Sequence, residues 1–268
     1  MNRILQRDLS SDSLRELLDV RGVSPMAFTD EQRDTLASRF RAVPTDRQRR
    51  LDAWTVENSG QSSSTFAWSP LTARRVLGNA ALRYLERGTV TTHIDAVNEA
   101  LADQLDRAAR GHARPGTLAL WLAGLSNPVL GIVTAEAVTW ASGLSQLMER
   151  LGPDVAMANV DAYYDVAGAR TSLRGRRDAV ITTPDARIVI RFRAGLPTGT
   201  AGAGLRADLA VDALVHPLGQ AAHRILGLWP EAGVALGVDG TEDVLRAGVR
   251  DFVRSAVTNH RQALQEVA

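Results

Sequence analysis

Three sets of residues in this chain have side chains and spacing suited to chemistry. The first is a run of charge: Arg174, Arg176, Arg177 and Asp178 in LRGRRDAVI, then Arg191 and Arg193 in IVIRFRAG. Guanidinium groups at that density suit the oxygens of phosphate or carboxylate, which their planar fork can hold in pairs. Within the run, Asp178 reads as a turn or strand-end carboxylate paired with Arg176 or Arg177, and Arg191 and Arg193 alternate onto one strand face. The second set is acidic. Glu136 is the one formal charge between residues 117 and 148; a buried carboxylate needs an arginine or a metal to stay ionised, so it reads as a helix-surface or arginine-satisfied acid before a catalytic one. Asp208 and Asp212 lie one helical turn apart. The third set is histidine. His93 stands at a helix start, where a capping or part-exposed ring is expected. His216 and His223 have Pro217 between them and share no metal-binding face, and His112 and His260 read as solvated.

Composition removes whole classes of mechanism. The sequence has no cysteine, which excludes disulfides, thiolate zinc sites, iron–sulfur clusters and a cysteine nucleophile, and points to the cytoplasm. It also has no lysine, so all 31 basic residues are arginine. A GC-rich genome's codon bias explains that usage, yet the consequence is chemical: there is no tunable amine, no Schiff base and no phosphate-loop lysine. The GxxxxGK[ST], GxSxG and HExxH patterns are missing. The glycine-rich stretch 194–204 reads as a flexible connector rather than a phosphate cradle, so a nucleotide hydrolase is disfavoured. With a formal net charge of +1, any nucleic-acid surface must be a local patch of arginines. The first residues carry acids and arginines without an apolar core and do not read as a signal peptide.

The elements that must position these residues follow from periodicity and punctuation. Residues 1–56 read as a helical arm, with a breaker at 22–25 and capping-box spacing at Thr29 with Gln32 and at Thr45 with Gln48. The polar run 57–65 reads as a linker or mobile loop. Ser69 followed by Pro70 starts a basic helix carrying Arg74 and Arg75. A second helix places Ile94, Val97, Leu101 and Leu105 on one face. The apolar block 117–148, broken at Asn127 and Pro128, reads as a buried helical pair rather than a membrane hairpin.

Beyond Gly152, β-rich segments separated by turn residues predict consecutive antiparallel strands. After them come helices near 205–215 and 217–226, and a strand in AGVALGVDG. A final helix over about 241–266 carries Arg246, Arg250, Arg254 and Arg261 on the side away from its apolar face, a solvated face in preference to a phosphate-binding one. The fold class is therefore α/β with an α+β-like order: a helical N-terminal half, then a small mixed sheet flanked by helices. Residues 66–268 form one domain, with a helical block 115–150 inserted.

That order of elements, over Phe66 to Gly240, resembles the RecB-family branch of the PD-(D/E)XK nucleases and implies a restriction-endonuclease-like core. The family's GxxxH segment falls on RGTVTTHIDAVNEAL and His93, and its GxxD element on Gly175, Arg176, Arg177 and Asp178, which makes Asp178 the implied metal ligand. Its (D/E)xK element falls on IVIRFRAG, with Arg191 at the acid and Arg193 at the lysine. Metal-assisted hydrolysis needs converging carboxylates; a guanidinium repels the ion, and arginine cannot deprotonate water. The expectation is an inert nuclease-like module that binds DNA or a partner protein in a repair, recombination or defence assembly, without a cofactor. Arg74, Arg75, Arg174, Arg176, Arg177, Arg191 and Arg193 would form its contact surface. One alternative is an active nuclease using Mg2+ or Mn2+, with Asp178 joined by a relocated Glu136, Asp208 or Asp212 and with His93 as a further candidate. A second is a scaffold that docks through its terminal helices without touching nucleic acid. No membrane contact is expected.

Overall fold

The computed structural model describes residues 4–45, 48–59, 67–217 and 220–267, the last five without their side chains. In chain order the first elements are β1 (Ile4–Asp8), α1 (Ser11–Leu18), α2 (Asp30–Arg41), β2 (Arg49–Leu51) and α3 (Ala53–Glu57). Four helices follow: α4 (Pro70–Glu86), α5 (His93–Ala109), α6 (Leu118–Ala123) and α7 (Asn127–Leu151). The remainder is β3 (Val155–Asp165), β4 (Thr171–Thr182), β5 (Arg187–Phe192), α8 (Ala201–Val215), β6 (Arg224–Trp229), β7 (Val234–Asp239) and α9 (Glu242–Val267). The chain divides into two compact units, one of residues 1–64 with 160–268 and one of residues 65–159.

The first unit is built on a mixed sheet of order β1-β7-β6-β5-β4-β2, with β3 also paired to β4. β4 and β5 run antiparallel, and β5 and β6 run parallel. A parallel pair needs a crossover connection, and α8 supplies it. Ile188, Val189, Ile190 and Phe192 of β5 and Ile225, Leu226, Leu228 and Trp229 of β6 are all buried, as expected of central strands covered on both faces. Helix α8 is buried along almost its whole length and packs against α9 and α3. Its glycines make that approach possible: a Cβ at Gly202 would strike Ile4, and one at Gly204 would strike the Glu57 carboxylate.

Several expectations need amending here. Residues 1–56 do hold three helices, yet they also contribute β1, antiparallel to β7, and β2, parallel to β4. Both strands are short and are specified by their distant partners, which local patterning does not reveal. Gln48 precedes a strand rather than sitting in a helix. Of the 57–65 linker, Glu57 ends α3 and residues 60–65 lie outside the described part. The helix expected over 217–226 is absent where described; Arg224 to Leu226 open β6 instead. The glycine stretch is helical from Ala201, its glycines serving close packing rather than flexibility.

The second unit is helical. Helix α4 starts as its sequence predicts, with Ser69 and Thr72 forming a capping box and Pro70 at the first turn. It meets α7 at Gly78, where a Cβ would come within 2.6 Å of Trp140 and 3.0 Å of the Ala137 carbonyl. Beside it, the buried Asn79 side chain accepts from Trp140 Nε1 at 2.9 Å. Val133, Ala137, Trp140, Ala141, Leu144, Leu147 and Leu151 form the buried face of α7. Among the described residues, no helix is long and apolar enough to cross a membrane.

Candidate functional site

The antiparallel register that sets Ala179 opposite Ile190 brings Asp178 of β4 beside Arg191 of β5. Asp178 is fully buried. Its Oδ2 accepts from Arg191 Nε at 3.2 Å and from the Phe192 amide at 2.9 Å, and its Oδ1 accepts from Arg176 Nε at 2.7 Å. The far side of Arg191 is taken up by Asp208 of α8, which accepts from Nη1. Asp208 also accepts from the Arg176 amide at 3.0 Å. Two buried carboxylates and two guanidiniums thus close a neutral cluster across the β4, β5 and α8 layers. Burial pulls the Arg176 pKa down, but the Asp178 carboxylate outweighs it and holds this guanidinium above the usual arginine range.

One turn further along α8, Asp212 repeats the arrangement. It accepts from both Nη atoms of Arg187, at 2.7 and 3.1 Å, and from the Ala222 amide at 3.0 Å. Arg177 Nε lies 3.0 Å from the same carboxylate, and the His216 ring is close by. Burial lowers the Arg177 pKa, and Asp212 only partly offsets the effect. The i, i+4 spacing of Asp208 and Asp212 places both on one face of α8, the face turned to the arginines of the sheet. At the edge of these clusters, Arg193 pairs with Glu57 of α3 and lies 5.7 Å over the Trp229 ring. Arg174 binds Asp161 at 2.9 Å and stands 3.7 Å from Asp52.

No family model, no curated protein and no solved structure matches this chain. The reading of the centre therefore rests on its own chemistry. Arg174, Arg176, Arg177, Arg191 and Arg193, nominated as a phosphate-contacting surface, each have a carboxylate partner. Arg191 is the clearest departure from that expectation: its side chain is 7% exposed and lies between two buried carboxylates, so it is not presented to a phosphate.

The remaining nominees lie in the helical unit. Arg74 stands 3.7 Å from Glu136 and 6.0 Å over Trp140, and Arg75 is half-buried on the same helix. Glu136 lies where a helix-surface, arginine-satisfied acid is expected: its side chain is 41% exposed beside Arg74, because α7 is apolar on its buried face and turns this residue outward. The His93 ring lies 2.8 Å from Ser145 Oγ. Neither His93 nor Glu136 belongs to the unit that holds Asp178.

Glu57, Asp161 and Arg187 complete the charge network, and sequence reasoning did not single them out. Only the placing of α3 and β5 against α8, and of β3 along β4, makes them relevant. Among the described residues, no group of three or more His, Asp or Glu side chains is disposed to hold a metal. Chemically the centre is a clamp. Both oxygens of Asp178 and both of Asp208 accept from this network.

Proposed function

We propose that this chain is a catalytically inactive module of the PD-(D/E)XK type, of RecB-like descent, that binds DNA within a repair, recombination or defence assembly. The observation that carries the reading is the seating of the Arg191 guanidinium between Asp178 and Asp208. A divalent ion needs those two carboxylates, and it would have to displace a buried cation already bonded to both. In support, β3 paired to β4, the antiparallel pair β4–β5, the crossover α8 and a parallel β6 follow the element order that the resemblance implies. The same pairing carries a consequence for binding: the arginines of this centre are neutralised internally, so DNA must be met elsewhere on the molecule.

The test is an assay of the purified protein with labelled single- and double-stranded DNA, scored for both retardation and cleavage, with Mg2+, with Mn2+ and with chelator. The expected result is salt-sensitive retardation and no cleavage in any arm. Metal-dependent cleavage that disappears in Asp178→Ala would overturn it and establish an active enzyme. Neither retardation nor cleavage would leave the scaffold reading, in which the module docks only to protein; the internal pairing of the nominated arginines favours that reading as the second choice.

A further inference from the structure

Against the neutral centre stands a surface where positive charge is left over. In the sheet-bearing unit, a groove of about 550 Å3 runs between α2 and α9, lined by Arg39, Arg246, Arg250, Thr29, Gln32 and Thr35 among others. Arg246 is held by Glu242, whose carboxylate Gln32 Nε2 approaches at 3.5 Å. Arg39 and Arg250 are exposed and make no ion pair among the described residues. One turn on from Arg250, Arg254 is 73% exposed and lies 3.7 Å from Asp251, a carboxylate bound more closely by Arg206 at 2.9 Å. Glu31 lines the groove, and with Glu242 on Arg246 two acids stand against three lining arginines.

We propose that this groove binds the phosphate backbone of duplex DNA. Arg246, Arg250 and Arg254 recur every fourth residue and form a ridge of about 12 Å at the 1.5 Å rise of a helix. Over that length of duplex axis one strand carries roughly three to four phosphates, at ~3.4 Å of axial rise each. Arg39 faces the ridge from α2, and the Thr29 hydroxyl and Gln32 amide are neutral donors of the kind that bond phosphate oxygens. Phe28, the aromatic residue in the lining, is buried. The groove thus offers no ring on which an unpaired base could stack, which argues for a duplex over a single strand. The groove rests on the DNA-binding part of the proposed function, but it uses no residue of the Asp178–Arg191–Asp208 cluster and so does not depend on that centre being inactive.

The experiment is a fluorescence-anisotropy titration of the full chain against labelled mixed-sequence duplex DNA at several salt concentrations, with polyglutamate and single-stranded DNA as alternative ligands. Four phosphate contacts predict a slope of log affinity against log salt of about −3.6. The double variant R39A/R250A should bind more weakly, with a slope shallower by about 2. Arg15→Ala, which removes an exposed arginine outside the groove, should bind as the unchanged protein does. Thermal melts of each variant establish that these exposed replacements leave the fold intact. A double variant with unaltered affinity and slope overturns the groove while leaving DNA binding in place. A protein that does not bind duplex DNA overturns both the groove and the DNA-binding reading. Preference for single strands, or binding of polyglutamate alone, overturns the duplex assignment.

Discussion

Arg191 serves as a built-in counter-ion. Its guanidinium satisfies Asp178 on one side and Asp208 on the other, with all three side chains buried. Removing one partner of a buried ion pair is costlier than the pair's net worth, because the charge left behind has lost its solvation. Arg191→Ala is therefore expected to destabilise the protein by about 3–5 kcal/mol, read as a lower urea midpoint with the slope unchanged; a loss below about 1 kcal/mol would mean that Arg176 alone suffices for Asp178. A second residue gives stability a pH dependence. His223 Nδ1 accepts from the Arg187 amide at 3.1 Å, a bond that needs its lone pair, and burial lowers its pKa below the ordinary histidine value of 6.5. With the folded pKa depressed, the unfolded chain takes up the proton first. Stability is then full above about pH 6.5 and falls as acidification passes through the folded value. Melting temperatures between pH 7.5 and 5, compared with those of His223→Gln, check this; an equal decline in both would assign the acid sensitivity to other groups.

At the scale of elements, what the sequence discloses depends on how local the cause is. The start of α4 was legible because Ser69, Pro70 and Thr72 form its cap within four residues, and the faces of α5 and α7 because helical spacing writes them directly into the chain. Asp178 with Arg176 was legible for the same reason, being two residues apart. Its link to Asp208 was not, because that requires α8 to be laid across β4 from 30 residues away. Likewise the glycines of α8 read as a loop until Ile4 and Glu57, from another part of the chain, are seen to fill the space above them. Gly78 on α4 is a comparable case. A Cβ there meets Trp140 and the α7 backbone at 2.6 and 3.0 Å, and a backbone cannot swing aside as a flexible side chain can. Gly78→Ala is expected to cost about 1–3 kcal/mol through overpacking, despite alanine's better helix propensity. A rise in melting temperature would show that α4 and α7 separate without cost.

For the whole molecule, the open question is whether the N-terminal 56 residues are an appendage, as their helical punctuation suggests, or part of the fold. The sheet answers through pairing: β1 covers the free edge of β7, and β2 lies along β4. The core answers through burial. Leu36, Phe40, Leu51 and Val56 belong to one buried cluster with Leu205, Leu209 and Phe252, while Leu14 and Leu17 are almost wholly hidden beneath α1. At roughly 1.5–3 kcal/mol for each large apolar side chain withdrawn from water, these six account for on the order of 10 kcal/mol. That equals the entire stability of a typical domain, about 5–15 kcal/mol. A chain lacking residues 1–56 would also bare the β7 edge, a ready template for pairing with another chain. Such a truncation is expected to be insoluble or, if recovered, to bind a hydrophobic dye and elute as aggregate on size exclusion, without a cooperative melt. A monodisperse truncation melting within a few degrees of the full chain would mean that the sheet from β3 to β7 closes its core unaided, and that the N-terminal segment is an arm after all.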